Sequence, residues 1–197
     1  DELRIVKPLS EISQYVIDGI IATEDSSFYE HNGIVPKALL RAILQEAVSS
    51  GSGATGGSTL TQQLIKQQIL TSEVTFKRKA NEILYALRLE KHFTKNQILE
   101  AYLNVSSFGR NHNGLNIAGI EEAAQGVFGV AAKDLTLPQA AYLVGMPQNP
   151  IVYTPYTNQA TLQEDTSAGI KRMKFVLFSM YRENKITKEQ YKEALAY

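Results

Sequence analysis

Apolar residues recur at spacings of three and four along nearly the whole chain, and no segment shows the sustained alternation of a half-buried strand. Ile12, Val16, Ile17, Ile20 and Ile21 mark the first such face. A period of 3.6 residues puts one apolar stripe on each helix, and the stripes can be buried only against other helices. The expected class is therefore all-α, in one domain spanning residues 1–197.

Local signals set the expected boundaries. Ser10 is placed to cap the first helix. Pro36 suits the first turn of a second helix running to about Val48. The stretch from Ser49 to Gly57 is Ser- and Gly-rich, reads as a loop, and is expected to stay mobile until substrate binds. Ser58 is the expected cap of a helix reaching about Leu70. A fourth helix is expected from about Phe76 to Lys91, with Phe76, Ala80, Ile83, Leu84 and Leu87 on its apolar face. Thr94 with Gln97 forms a capping-box pattern for a fifth, ending near Leu103. Residues 105–116 read as loop, and Ile117–Phe128 and Pro138–Met146 as helices. Three prolines make 146–156 irregular. A long helix near 160–182 and a short one capped by Thr187 with Gln190 complete the series.

Lys plus Arg equals Asp plus Glu at 20 each, so there is no basic excess for nucleic-acid binding. With no cysteine, disulfides, thiolate metal sites and a Cys nucleophile are excluded. No apolar run approaches the ~18 residues of a membrane span. The abrupt opening at Asp1 and the ending within a helical run point to a piece of a longer protein.

Three segments carry chemistry. In Thr23-Glu24-Asp25-Ser26-Ser27-Phe28-Tyr29-Glu30-His31, two acids end an apolar helix, where the macrodipole disfavours them. A carboxylate held against such a helix end is suited to take up a proton; the alternative is a helix end running into solvent. In Gly56-Gly57-Ser58-Thr59-Leu60-Thr61-Gln62-Gln63-Leu64-Ile65-Lys66, a glycine loop feeds a helix N-terminus whose amides suit an anion. Gln62, Gln63 and Lys66 can share a face there, although a capped surface helix has the same pattern. In Lys77-Arg78-Lys79-Ala80-Asn81-Glu82, three cations open a helix. That arrangement is unfavourable without an anionic ligand, and a solvated ion-pair face is the alternative. His92 and His112 read as ordinary polar residues.

Together these segments resemble the family 51 glycosyltransferase domain of class A penicillin-binding proteins and monofunctional transglycosylases, over nearly the whole chain. All five family motifs have counterparts: Glu24-Asp25 with Phe28 and His31; Gly57-Ser58-Thr59-x-Thr61-Gln62-Gln63; Arg78-Lys79-x-x-Glu82 with Tyr102-Leu103-Asn104; Gly119-Ile120 with Ala123-Ala124 and Phe128-Gly129; and Ala140-Ala141 through Pro147-Gln148-x-Pro150. Val127 departs from the pattern, since the family carries an aromatic before the Phe.

The resemblance implies a lysozyme-like large lobe and a smaller lobe at about 33–56, which carries Val35, Leu39, Leu40, Ile43 and Leu44 to the membrane surface. It implies inverting glycosyl transfer that polymerises lipid II onto a lipid-linked glycan chain. Glu24 would be the general base, and undecaprenyl pyrophosphate would leave against Lys66, Arg78 and Lys79. Glu82 would orient those cations or hold Mg²⁺ or Mn²⁺; no organic cofactor is expected. Asp25, Phe28, His31, Gly57, Ser58, Thr59, Thr61, Gln62, Gln63 and Asn104 would line the substrate site. The parent protein would carry an N-terminal membrane anchor and a transpeptidase domain, on the extracytoplasmic face of a bacterial membrane. A lysozyme-like hydrolase or lytic transglycosylase and a non-catalytic lipid-binding module are the competing readings. The basic cluster disfavours the first, and the presence of both Glu24 and Glu82 disfavours the second.

Overall fold

The structure is a computed structural model that describes residues 5–48, 57–68 and 76–197. It is predominantly helical, as the periodicity predicts. The chain divides into two compact units, one built from residues up to Ser26 together with Leu103–Tyr197, the other from Ser27–Tyr102.

In the first unit, α1 (Gln14–Glu24), α7 (Leu137–Val144) and α9 (Ser167–Arg182) pack on one another. Val16, Ile20, Leu143, Val144, Val176 and Leu177 are fully buried between them. Gly19 permits the approach, since a Cβ there would lie 3.3 Å from Val144 and 3.4 Å from the Met180 sulfur. The cap of α1 is Ser13, whose side chain accepts the Tyr15 N–H at 3.3 Å. The expected cap, Ser10, instead lies in a 3₁₀ turn at Leu9–Glu11. The remaining helices of this unit are α6 (Ile120–Ala123), which continues into a π-helical turn over Ala124–Phe128, α8 (Pro150–Tyr153) and α10 (Lys188–Leu195). Thr187 and Gln190 close the capping box of α10 as expected.

A small hairpin departs from the all-helical expectation. Strands β1 (Ser107–Arg110) and β2 (Asn116–Ala118) pair antiparallel with a register shift between them. They bury Phe108 and Ile117. The connection is an Asn turn, in which the Asn111 side chain accepts the N–H groups of Asn113 and Leu115. Strands of four and three residues are too short to show a period. Ile117, assigned from sequence to a helix, is thus a strand residue. The long helix begins at Ser167 rather than near 160, because residues 157–161 close a turn around the Thr157 hydroxyl.

The second unit holds α2 (Pro36–Val48), α3 (Leu60–Gln68), α4 (Phe76–His92) and most of α5 (Lys95–Val105). Pro36 opens α2, and Thr94 with Gln97 caps α5, both as predicted. The cap of α3 is Thr59 rather than Ser58. Thr59 N–H donates to Gln62 Oε1 at 3.0 Å, and Gln62 N–H donates to Thr59 Oγ1 at 3.1 Å. The glycine-rich loop expected at 49–57 lies outside the described residues except for Gly57. The α3 terminus expected near Leu70 lies outside them too. The buried face of α4 is Glu82 and Ala86, whereas Leu84 and Ala80, assigned from sequence to its apolar face, are exposed. Leu40, Ile43 and Leu44 share an exposed face of α2, and no helix among the described residues is long and apolar enough to cross a membrane.

Candidate active site

In the first unit, Glu24 is the last residue of α1, and Asp25 is its C-cap, largely buried. The Glu24 carboxylate does not simply abut apolar side chains. Arg172 of α9 donates from Nη2 to its Oε1 at 2.7 Å, and the two side chains are each 14% exposed. The guanidinium is itself held in place: it lies 5.1 Å over the Phe175 ring and 5.9 Å over the Tyr153 ring, and its Nε donates to the Gly145 carbonyl at 3.4 Å. A carboxylate near the surface of an apolar helix end is thereby fixed in one orientation by a planar, charged partner. Sequence reasoning missed Arg172, whose only signal was a basic residue on a long amphipathic helix. Asn104 takes a structural part. Its side-chain amide spans the backbone of Lys7, accepting from the N–H and donating to the carbonyl at 2.9 Å each.

In the second unit, Glu82 is 1% exposed, an unusual depth for a carboxylate. Its Oε1 accepts from Lys79 Nζ at 3.0 Å and from Gln62 Nε2 at 3.4 Å. Its Oε2 lies 4.0 Å from Arg78 Nη1 and has no hydrogen-bond partner among the described residues. Lys79 also donates to Ser58 Oγ at 3.3 Å. The first turn of α4 and the entry to α3 therefore meet around one buried anion. Gln63 is half-buried, accepts the Tyr102 hydroxyl at 3.0 Å and reaches back to the Ser58 carbonyl at 3.5 Å. Lys66 and Lys77 are exposed. Gln62 and Lys66 do not share an open face, because Gln62 is fully buried.

Several residues expected to line the substrate site also pack or cap within the second unit. Phe28 and Thr61 are fully buried, and Thr59 nearly so. Thr59 Oγ1 donates to the Gly33 carbonyl at 2.7 Å, and Thr61 Oγ1 to Glu90 at 2.7 Å. Gly57 closes on α2, where a Cβ would fall 2.7 Å from that of Ala42. His31 Nδ1 accepts the Gly33 N–H at 2.9 Å. Small and hydroxylated residues here let two backbone segments approach and then cross-link them.

A family profile described as Transglycosylase matches residues 1–181. The chain belongs to the transglycosylase family. Its activity is accordingly that of a transglycosylase, a glycosyltransferase, in keeping with the motif reading. Relatives include penicillin-binding protein 1B of Haemophilus influenzae, 42% identical over 173 residues, covering 88% of this chain and 22% of that protein. Penicillin-binding protein 1A/1B of Bacillus subtilis is 39% identical over 194 residues, covering 98% of this chain and 20% of that protein. The chain thus spans about a fifth of the length of these relatives. The crystal structure of penicillin-binding protein 1A from Haemophilus influenzae matches with a TM-score of 0.51 at 21% identity, over 98% of this chain and 17% of that one. That likeness supports the fold.

Proposed function

We propose that this transglycosylase domain polymerises lipid II onto a lipid-linked glycan chain and releases undecaprenyl pyrophosphate. The observation that carries the reading is the pairing of Lys79 with buried Glu82 at 3.0 Å. One buried anion shared by two cations holds them in place and leaves the cluster a net positive charge to present outward. Lys79 and Arg78 would meet the negative charge that builds on the departing pyrophosphate, with exposed Lys66 as a further cation. Glu24 would take the proton from the acceptor 4-hydroxyl as that oxygen attacks the anomeric carbon. Inversion at that carbon follows from a single displacement.

The surroundings of Glu82 do not fit the expected Mg²⁺ or Mn²⁺. One carboxylate can hold such an ion when waters and phosphate oxygens complete its shell, but the cationic groups of Lys79 and Arg78 already stand at 3.0 and 4.0 Å from Glu82 and would repel it. No group of three or more acidic, His or Cys residues lies together among the described residues. Glu82 is read as the counter-ion of the cation pair, and no step is routed through a metal.

The exposed Leu40, Ile43 and Leu44 of α2 would rest on the membrane carrying both substrates. The parent protein would bring a membrane anchor and a transpeptidase domain, on the extracytoplasmic face of a bacterial membrane. Lipid II polymerisation by the chain tests the reading. Glu24→Gln should lower turnover at least ~10²-fold with an unchanged far-UV circular dichroism spectrum. Near-native turnover would refute Glu24 as the base. Cleavage of polymeric glycan without polymerisation would favour the hydrolase instead.

A further inference from the structure

Lys95 opens α5, outside the motifs that define the family resemblance, yet its ammonium is largely buried at a junction in the second unit. Its Nζ donates to Glu90 Oε1 at 2.7 Å and to His31 Nδ1 at 3.2 Å, and it lies 4.6 Å over the Phe28 ring. His31 Nδ1 also accepts the Gly33 N–H at 2.9 Å. Both neighbours are donors, so Nδ1 stands between them as the acceptor. The 4.0 Å approach of His31 to Glu90 is accordingly no hydrogen bond.

Two chains of hydrogen bonds run from this junction to the first turn of α3. One is direct: Glu90 Oε1, held by Lys95, accepts the Thr61 hydroxyl at 2.7 Å. The other passes through His31 to the Gly33 backbone, whose carbonyl accepts Thr59 Oγ1 at 2.7 Å. Thr59 and Gln62 then close the capping box, and Gln62 Nε2 donates to Glu82 Oε1 at 3.4 Å. Gly33 makes its close approach with φ +112°, where a Cβ would sit 2.8 Å from the Ala86 carbonyl oxygen. Every link is buried or half-buried; the two threonine hydroxyl contacts are the shortest, at 2.7 Å each, and the contact of Gln62 with Glu82 is the longest, at 3.4 Å.

We propose that Lys95 and Glu90 are positioning residues: they fix the first turn of α3, and through Gln62 they fix the Glu82 carboxylate that holds Lys79. Neither touches substrate. A buried lysine whose charge is matched by one carboxylate, one imidazole lone pair and one ring face costs desolvation. Its return is orientation of the Gln62–Glu82–Lys79 group. The inference rests on the reading of Lys79 and Glu82 as leaving-group machinery.

The test compares Lys95→Met, Lys95→Arg and Thr61→Val with the parent chain, by lipid II turnover, thermal melt and the Gln62 side-chain amide signals in ¹⁵N NMR. A misplacement near 1 Å costs up to about 10²-fold in rate, so Lys95→Met should lower kcat roughly 10- to 100-fold with KM within about twofold. Lys95→Arg should restore most of it. Thr61→Val breaks the direct chain without removing a charge, and should lower kcat in the same sense if Lys95→Met does not fold. In both weakened variants the Gln62 amide signals should shift. Turnover of a folded Lys95→Met or Thr61→Val within twofold of the parent would overturn the proposal, and so would unmoved Gln62 signals. If the parent chain does not polymerise lipid II, the proposed function fails, and the Gln62 signals alone decide this inference.

Discussion

Glu24 and Arg172 meet at 2.7 Å although 148 residues separate them in the chain. The contact joins the end of α1 to the middle of α9, the two helices that with α7 form the core of the first unit. Because a guanidinium presents a rigid fork, it fixes the direction of the carboxylate as well as supplying charge.

Arg172→Ala should therefore affect both stability and turnover. It removes the guanidinium from a carboxylate that is 14% exposed, at a cost somewhat below the roughly 3–5 kcal/mol of a fully buried pair. Arg172→Lys keeps the charge but loses the fork and the stacking on Phe175. It should recover most of the melting temperature and only part of kcat. Urea melts and lipid II kinetics on the same two variants check this. Full activity in Arg172→Ala would show that Glu24 needs no such support.

The basic start of α4 should behave differently from what its sequence suggests. Three adjacent cations at a helix N-terminus predict that Arg78→Gln or Lys79→Gln leaves stability unchanged or slightly higher. In the structure both cations face Glu82, and the Arg78 side chain is only 10% exposed. Removing either leaves a buried carboxylate with less compensation, at about 1–3 kcal/mol. Glu82→Gln in the Arg78→Gln background should recover part of that loss. Differential scanning calorimetry of the single and double variants measures the coupling; additive losses would show that the two side chains do not interact.

The exposed face of α2 should bind lipid. Leu40, Ile43 and Leu44 are 59%, 47% and 57% exposed. Burying each in a bilayer interface is worth about 1 kcal/mol. Replacing all three with Gln should weaken binding to phosphatidylglycerol–phosphatidylethanolamine vesicles roughly 100-fold, while the melting temperature holds. Co-sedimentation reads the first quantity and circular dichroism the second. A large fall in melting temperature would mean that this face packs within the protein.

Alkaline stability should report on Tyr142. Burial, with a smaller contribution from Tyr156, pushes its hydroxyl up to about 12 from an ordinary 10.0. The folded state then holds a proton that the unfolded state releases, so stability is unaffected by this group below pH 10 and falls as pH rises towards 12. Tyr142→Phe removes that dependence. Urea melts between pH 9 and 11.5 should show a shallower decline for the variant than for the parent chain. Equal slopes would mean that Tyr142 ionises as easily folded as unfolded.

What could be read from the sequence was local. The Thr94–Gln97 and Thr187–Gln190 caps were legible because both partners lie within one helical turn. The helices were legible because a period of 3.6 survives in the order of residues, and the Gly57–Gln63 and Arg78–Glu82 motifs because their spacing is itself the signal. The hairpin of β1 and β2 was not, since a handful of residues carries no period. Nor could order alone show that α4 turns Glu82 inward and leaves Leu84 outside. A carboxylate is buried only where Lys79, Arg78 and Gln62 compensate it, and Gln62 comes from a different helix. The same holds for Arg172 on Glu24 and for Lys95 between Glu90 and His31. Composition and periodicity determined which segments are helices, and spacing put Lys79 and Arg78 within reach of Glu82, but tertiary packing alone decided which of these charges is buried and brought Gln62 to Glu82 and Arg172 to Glu24, because desolvation is also repaid by groups distant in the chain and close in space.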